Sequence, residues 1–309
     1  MKLRSSKETS FSILLPTTRK RKAEENKLIE VPSKKKTRFY DSYYRQNWSL
    51  RDSLIHYITQ NPSSAKVYQK IIQSCKYFFF KNPILIVSDL SLDITCKIWI
   101  TNEINIIDEI GEEIDHNFLA SLIPKIYQSD VKTFNLCDQN LFFDELIFLA
   151  SNAETIRFDG GSERTFEDPT SIIKNADGSF SPLEKIFAAL PKVKKFYYTP
   201  PSDDFITTNT VKELLKISHF SNLDYFRMVF IPVSFDIETF YDYIKGNKKT
   251  RIYLLFSPDI SEAYKTRLQT IVNEILQTQT RDFKVPYISF DGSVIEDDEL
   301  LWDLFLENK

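Results

Sequence analysis

The stretch that decides the fold reads VKKFYY at Val193–Tyr198, VKELLKISHF at Val211–Phe220 and LDYFRMV at Leu223–Val229. The first and third segments are rich in aromatic and β-branched residues, which favours strands, and the second places apolar residues at helical spacing. Strand-like segments of this kind occur six times, at Val131–Leu136, Ala153–Phe158, Val193–Tyr198, Leu223–Val229, Arg251–Phe256 and Lys284–Phe290. Helical segments follow them, at Leu141–Ala150, Pro182–Leu190, Val211–Phe220, Ile237–Lys245, Ile260–Gln277 and Asp298–Leu306. Because a crossover helix returns the chain to start the next parallel strand, this alternation predicts an α/β fold with a parallel sheet.

The strand segments share a degenerate apolar pattern, φ-x-x-φ-x-φ, in which φ is an apolar residue. The pattern occurs at Val131/Phe134/Leu136, Ala153/Ile156/Phe158, Val193/Phe196/Tyr198 and Leu223/Phe226/Met228, and more weakly at Lys249/Ile252/Leu254. Cys96/Ile98/Ile100 is a candidate opening strand. In the five copies from Val131 to Lys249, the first positions of successive copies are 22, 40, 30 and 26 residues apart. The wide interval holds an insertion, Asp159–Phe180, whose Gly160-Gly161 and Asp177-Gly178 pairs indicate a surface loop. Repeats of this size resemble leucine-rich repeats and favour an interaction surface over a catalytic pocket.

Side chains on either side of the buried strand positions are expected to face outward. In the repeats these are Asn135, Arg157, Tyr197, Arg227 and Tyr253, with Thr133, Thr155, Lys195, Tyr225 and Arg251 beside them. Arg and Tyr are favoured at recognition hot spots, because Arg bonds bidentately and Tyr offers rigid aromatic area. We therefore predict that the first five residues form a target-binding face. The alternative is an ordinary sheet edge or a face that helices cover.

Helix starts support the same division of the chain. Ser181, Thr210 and Asp259 each precede a helical segment and are each followed by Glu three residues later. This spacing predicts a capping box at each of the three sites. The last helix, Asp298–Leu306, is expected to cover the end of the core.

The apolar pattern of residues 40–90 differs from that of the repeats and predicts a pair of helices. Leu50, Leu54, Ile55 and Ile58 form a helical stripe that Asn61-Pro62 ends, since the residue before proline avoids the helical conformation. Ser63 or Ser64 is expected to cap a second helix that runs to Asn82-Pro83. One face of this second helix holds Val67, Tyr68, Ile71, Ile72, Cys75 and Phe78.

This region resembles a divergent F-box. The resemblance is carried by SLRDSLIHYI at Ser49–Ile58 and by IIQSCKYF at Ile71–Phe78, whose small-Cys-basic-aromatic ending matches the family pattern; Arg51 follows Leu50 where the family has proline. With Tyr77–Val87 and the repeats, the chain resembles the nematode-expanded F-box-like proteins with leucine-rich-repeat-like bodies. The resemblance implies docking on a Skp-family adaptor of a cullin-RING ubiquitin ligase, through Leu50, Leu54, Ile55, Ile58, Cys75 and Phe78. The alternative is that these six residues are only core.

The charge of the chain is unevenly distributed. Residues 1–38 hold twelve Lys or Arg and four Glu, whereas the remainder has 28 basic against 39 acidic residues, a balance of −11. Too little apolar surface is present in residues 1–39 to offset the ordering entropy, so a disordered basic arm is expected. Its two clusters resemble a bipartite nuclear-import signal, and they consist of Arg19, Lys20, Arg21, Lys22, Lys34, Lys35, Lys36 and Arg38. The alternative is a solvated charged tail. The acidic remainder argues against nucleic acid on the folded body.

Motifs for catalysis and cofactor binding are missing from the sequence. Six glycines form neither GxGxxG nor a phosphate loop, and GxSxG does not occur. The three His stand alone in the sequence, and the three Cys have no zinc-ligand spacing. We therefore predict no catalytic, cofactor-binding or metal-binding residues.

The predicted architecture is a basic arm at 1–39, an F-box-like helical module at 40–90 and an irregular leucine-rich-repeat-like α/β solenoid at 91–309. Three functions are considered: a ligase substrate receptor, a repeat scaffold with a vestigial F-box, and, more remotely, an α/β enzyme. Exposed apolar residues on the first helix would favour the receptor over the scaffold. A pocket at the carboxyl ends of the strands with a strongly shifted His or carboxylate would favour the enzyme. No run of residues is apolar enough to span a bilayer, and the expected location is the nucleus, or else the cytoplasm, without membrane contact.

Overall fold

The computed structural model describes residues 50–90, 96–106, 115–158, 171–278 and 280–307. The chain divides into two compact units, the first formed by Met1–Val87 with Ser91–Trp99 and the second by Ser88–Leu90 with Ile100–Lys309. The predicted basic arm and both of its clusters, Arg19–Lys22 and Lys34–Arg38, lie outside the described residues.

The first unit contains three helices, α1 (Asp52–Gln60), α2 (Ala65–Ser74) and α3 (Lys76–Lys81). Ser64 caps α2 as predicted, because its hydroxyl accepts a hydrogen bond from the Val67 amide at 3.3 Å. The single helix expected from there to Asn82 is wrong. Cys75 takes an extended conformation with φ −156°, and its Sγ accepts a hydrogen bond from the Tyr77 amide at 3.4 Å, so a new helix begins at Lys76.

The three helices share one small core. Ile55, Tyr77 and Phe78 are buried together, and Ile71, Ile72 and Cys75 pack against them half-buried. The Asn82 side chain donates a hydrogen bond to the Thr59 carbonyl at 2.8 Å and thereby joins the end of α3 to α1. The buried Tyr68 hydroxyl in turn donates to the Asn82 carbonyl.

The sheet confirms the predicted α/β class and the parallel pairing. Its strand order is β1-β2-β4-β6-β8-β9-β10-β11, with β3 beside β2, and each neighbouring pair from β2 onward along this path is parallel. The strands of this sheet are β1 (Ile84–Asp89), β2 (Lys97–Ile106), β3 (Ile126–Ser129), β4 (Thr133–Leu136), β6 (Thr155–Phe158), β8 (Lys195–Tyr198), β9 (Tyr225–Ile231), β10 (Arg251–Phe256) and β11 (Tyr287–Ser289). The remaining helices are α4 (Phe118–Leu122), α5 (Phe143–Ala150), α6 (Leu183–Ala188), α7 (Thr210–Lys216), α8 (Ile237–Gly246), α9 (Glu262–Gln277) and α10 (Ile295–Glu307). The solenoid arrangement and the F-box-like identity of the helices stay predictions.

The core of the second unit lies between the sheet and its crossover helices. Phe196 of β8 and Phe226 of β9 are partners in the register and stack with ring centroids 6.3 Å apart. Phe187 at the end of α6 contacts Phe196 at 5.2 Å, and Phe240 of α8 contacts Phe226 at 5.8 Å. Because side chains alternate between the two faces of a strand, the residues next to these phenylalanines point to the opposite face.

The insertion was predicted to be a loop throughout, and this is wrong for its last part. Ile172–Lys174 forms β7, which pairs in parallel with β5 (Asn140–Phe142) in a separate two-stranded sheet. The helix expected from Leu141 therefore begins at Phe143. Gly178 follows in a turn with φ +82°, a conformation that favours glycine. Residues 159–170 lie outside the described residues.

The three predicted capping residues are also wrong. The Ser181 hydroxyl donates to Asn175 Oδ1 at 2.6 Å, and Thr210 is already the first residue of α7. The cap of α9 is Ser261, which accepts a hydrogen bond from the Tyr264 amide at 3.3 Å, and not Asp259. Several Ser, Thr and Asp residues stand near each helix start, and tertiary hydrogen bonds decide which of them caps the helix.

Candidate functional site

The sheet register brings the five predicted target-binding residues into one row. Asn135, Arg157, Tyr197, Arg227 and Tyr253 are successive partners on β4, β6, β8, β9 and β10. Asn105 of β2 and Tyr287 of β11 extend this central row at its two ends. A flanking row aligns in the same way and consists of Glu103, Thr133, Thr155, Lys195, Tyr225 and Arg251. We call these two rows the sheet face.

Arginine and tyrosine side chains contact one another across the strands of the sheet face. The Arg157 guanidinium lies 3.6 Å from the centroid of the Tyr197 ring, and that ring lies 5.1 Å from the ring of Tyr225. Arg227 stacks over Tyr253 at 5.0 Å in the same manner. Each such cation–π contact contributes about 0.5–1 kcal/mol at an exposed site. The contacts hold these half-buried side chains in place on the face.

Burial raises the pKa of two tyrosines in these rows. It raises the pKa of Tyr225 to about 12, and the neighbouring Tyr197 acts in the same direction. Burial likewise raises the pKa of Tyr287 to about 12. A neutral tyrosine hydroxyl can both donate and accept a hydrogen bond.

The sheet face is basic along most of its length. Between β4 and β10 the two rows contain the cations Arg157, Lys195, Arg227 and Arg251 and no carboxylate. The first carboxylate, Glu103 on β2, accepts a hydrogen bond from the Asn135 side chain at 3.2 Å. Partial burial and the nearby Asp89 raise the pKa of Glu103. The sheet face between β4 and β10 is therefore basic, although residues 39–309 as a whole carry a net charge of −11.

The C-terminal helix α10 occupies one end of the sheet face. Trp302 and Phe305 pack on Tyr287 with centroid distances of 4.9 and 6.1 Å, and Phe305 also contacts Tyr253 at 6.3 Å. The Tyr287 hydroxyl donates to Asp298 Oδ2 at 3.0 Å. The sequence predicted that this helix covers the end of the core, and the structure adds that its aromatic residues pack on the sheet face. Its apolar stripe was visible in the sequence, but the surface it packs on was not.

Arg251 holds the C-terminal turn of α10. Its Nη2 donates to the Phe305 carbonyl at 3.2 Å, and the guanidinium lies 4.4 Å from the centroid of the Phe305 ring. The last four carbonyls of a helix have no partner within the helix, so a cation at this position satisfies one of them and opposes the helix dipole. Tyr253, one of the predicted target-binding residues, contacts the same Phe305 ring.

A row of alternating charges, missed by the sequence analysis, precedes the strands of the sheet face. Glu154 accepts from Lys194 at 2.6 Å and lies 3.6 Å from Lys132 on its other side. Lys249 lies 3.3 Å from Asp224 in the next part of the row. The pKa of Glu154 is lowered, chiefly by its hydrogen bond to Lys194. All of these side chains are exposed, so the row contributes little stability, although aligning the residue before each strand would have revealed it.

The structure divides the six predicted adaptor-docking residues into two groups. Leu50 and Leu54 are 44% and 49% exposed, whereas Ile55 and Phe78 belong to the core of the first unit. Ile58 and Cys75 are half-buried. Docking through these six residues stays a prediction, and within the chain two of the six are core residues.

Tyr57 joins the exposed group and was not predicted. It is 66% exposed and lies three residues after Leu54, on the same side of α1. Leu50 lies before the helix, because Arg51 has an extended backbone and α1 begins at Asp52. The spacing of Leu54 and Tyr57 was present in the sequence, but it does not show which side of the helix stays in water.

A histidine–carboxylate pair follows β4, although His116 was expected to stand alone. His116 Nδ1 lies 2.8 Å from Asp138 Oδ1, and Asp138 has a left-handed backbone with φ +49°. Hydrogen bonds and the charge of Asp138 raise the pKa of His116. The imidazole is 57% exposed, whereas the Asp138 side chain is 11% exposed.

Metal-ligand groups and membrane-spanning helices were looked for among the described residues. Within the five described ranges no group of three or more His, Cys, Asp and Glu is placed to hold a metal ion. In the same ranges no helix is both long enough and apolar enough to cross a membrane.

The chain was also compared with known proteins. No protein-family model matches it, and no curated protein is similar to it in sequence. The argument for its function therefore rests on its residues and geometry.

Proposed function

We propose that this chain is a substrate receptor of a cullin-RING ubiquitin ligase, in which α1 binds a Skp-family adaptor and the sheet face binds a target protein. The observation that supports this proposal is a group of exposed apolar residues, Leu54 and Tyr57 on α1 and Leu50 just before it, which we call the exposed stripe. Large apolar side chains that a folded unit leaves grouped in water mark an interaction site. On a helix that resembles the first helix of an F-box, the adaptor is the partner that the resemblance implies.

The two groups of docking residues have separate roles in this proposal. Leu50 and Leu54 contact the adaptor together with Tyr57, and the half-buried Ile58 supports them. Ile55 and Phe78 hold α1 against α3 and so present the stripe in one orientation. Cys75 breaks the helix between α2 and α3 and thereby lets Tyr77 and Phe78 reach the same core.

A repeat scaffold with a vestigial F-box is the second candidate. The burial of Ile55 and Phe78 favours it, because two of the residues that the resemblance assigns to docking are core residues. In that case the stripe on α1 has no adaptor to bind, and the sheet face alone carries the function. Nuclear import through the basic arm stays a prediction under both candidates.

A pull-down with a purified Skp-family adaptor tests the proposal. Leu50→Asp combined with Leu54→Asp places two charges on the exposed stripe, so we expect adaptor binding to be lost while the melting temperature is unchanged. Leu54 and Leu50 are preferred over Ile58 because a charge at a half-buried position would also disturb the core.

Val233→Asp is the matched control. Val233 is an exposed apolar residue of the second unit, 54% accessible, so its replacement adds a charge without touching α1. Equal binding by the double variant and the wild-type chain contradicts docking through the stripe. Failure of the wild-type chain to bind the adaptor favours the scaffold.

A further inference from the structure

We propose that the sheet face binds an acidic helix of the partner protein that carries aromatic residues, alongside α10. The inference depends on the proposed function only in calling this partner the ligase target. Its basis is the way in which the chain's own α10 packs on one end of the same face.

The composition of α10 matches the chemistry of the surface beneath it. Residues Ile295–Glu307 hold six acidic residues and no basic one, together with Trp302 and Phe305. Three kinds of contact join the helix to the face. Its aromatic rings pack on Tyr253 and Tyr287, and the Asp298 carboxylate accepts a hydrogen bond from the Tyr287 hydroxyl. The Phe305 carbonyl accepts a hydrogen bond from the Arg251 guanidinium. An acidic aromatic helix is therefore an occupant that this face already accommodates.

The same chemistry continues beyond α10 along both rows. Arg157 and Tyr197 repeat the pairing of a guanidinium with a tyrosine ring, and Tyr225 supplies a second ring 5.1 Å from Tyr197. Lys195 is exposed beside them on β8. Neighbouring strands lie about 4.8 Å apart, so β6, β8 and β9 span about 10 Å, which is the diameter of a helix. One further helix lying along the strands fits this width.

Charge decides which kind of helix the surface fits. The two rows from β4 to β10 carry four cations and no carboxylate, and a partner of opposite charge is steered to such a surface and held in register on it. Single-stranded RNA is the other ligand that arginines and aromatic rings suit. The acidic helix is favoured because α10, a helix of the same composition, already packs on Tyr253 and Tyr287 of this face.

The first test measures binding of a synthetic peptide to the full chain. The probe is a fluorescein-labelled peptide with the sequence of Ser293–Lys309, followed by anisotropy at 100 mM salt. We expect saturable binding that weakens as salt is raised. A second peptide with all six acids of α10 replaced by Asn or Gln is expected to bind at least tenfold more weakly. An unlabelled oligouridylate is the nucleic-acid probe, and binding of this RNA in place of the acidic peptide overturns the proposal.

Variants of the sheet face locate the bound peptide. Lys195→Glu reverses an exposed charge on β8 and is expected to weaken peptide binding at least tenfold. The matched control is Lys245→Glu, which makes the same charge reversal on α8, and it is expected to leave peptide binding unchanged. Arg157→Gln is the milder second variant and keeps the result interpretable if the charge reversal disturbs folding. Absence of binding overturns the proposal. So does binding that Tyr287→Phe weakens and Lys195→Glu does not, since the peptide would then displace α10.

The two proposals fail separately. The double variant Leu50→Asp with Leu54→Asp is expected to bind the peptide normally, and Lys195→Glu is expected to bind the adaptor normally. Loss of adaptor binding alone therefore concerns only the ligase proposal. Loss of peptide binding alone concerns only the occupant of the sheet face.

Discussion

Two neighbouring aromatic residues on β8 provide a direct test of which face of the sheet is the core. Phe196 is fully buried and contacts Phe158, Phe187 and Phe226. Tyr197 points to the other face, where its ring contacts Arg157 and Tyr225. The perturbation is Phe196→Ala in one variant and Tyr197→Ala in the other, so that the same strand loses an aromatic ring from opposite sides.

The structure predicts very different costs for the two changes. Removal of a buried Phe ring from a packed core lowers the free energy of unfolding by about 3–5 kcal/mol. Tyr197→Ala removes one cation–π contact, about 0.5–1 kcal/mol, and one aromatic pair, about 0.5–1.5 kcal/mol. Its expected cost is therefore about 1–2.5 kcal/mol.

Urea denaturation followed by far-ultraviolet circular dichroism measures the difference. With an m-value of about 2.5 kcal/mol per M, the midpoint should fall by about 1.2–2 M for Phe196→Ala and by about 0.4–1 M for Tyr197→Ala. Peptide binding provides the converse readout, since only Tyr197→Ala should weaken it. Equal losses of stability, or a larger loss for Tyr197→Ala, would refute the assignment of the two faces.

Two further predictions concern other parts of the chain. Ile55→Ala should lower the free energy of unfolding of the first unit by about 2–5 kcal/mol. Leu54→Ala should change the same free energy by less than about 0.5 kcal/mol. Thermal melting measures both variants, and similar shifts in melting temperature would contradict the division of α1 into buried and exposed sides. Asp138→Asn keeps a side chain that tolerates φ +49° but removes the charge beside His116, so the pKa of His116, raised in the wild-type chain, should fall in a proton NMR titration. Because the pKa is raised on folding, the pair stabilises the native state below the unfolded-state pKa and loses this effect as pH rises through the folded-state pKa. An unchanged titration in the variant would exclude the Asp138 carboxylate as a cause and leave the hydrogen bond to the Asp138 carbonyl, which the variant keeps.

The strands were predicted better than the connections between them. Arg251–Phe256 forms β10 with the predicted bounds, and the other five strands lie within their predicted segments except that β9 extends to Ile231. Alternation with period two and the aromatic content of each segment are local properties, so they can be found without knowledge of the fold. The cap of α9 at Ser261, the extended Cys75 and the pairing of β5 with β7 depend on contacts between distant residues.

The candidate site shows the same limit. The central row of Asn135, Arg157, Tyr197, Arg227 and Tyr253 was deduced from repeat positions, and the register aligns it across the strands. The covering of Tyr253 by α10 was not deduced. The exposure of Leu54 beside the buried Ile55 could not be deduced either, because both lie on one apolar stripe.

The α/β class, the parallel pairing and the residues that point away from the core of each strand could be predicted from the amino-acid order alone. These features follow from side-chain period and propensity, which act between residues close together in the chain. The packing of α10 on the Tyr253 and Tyr287 end of the sheet face became visible only in the folded chain, as did the exposure of Leu50, Leu54 and Tyr57. An apolar side chain in the sequence indicates that its burial is favourable. The hydrophobic effect has no direction, so the packing of the whole chain decides which surface covers that side chain.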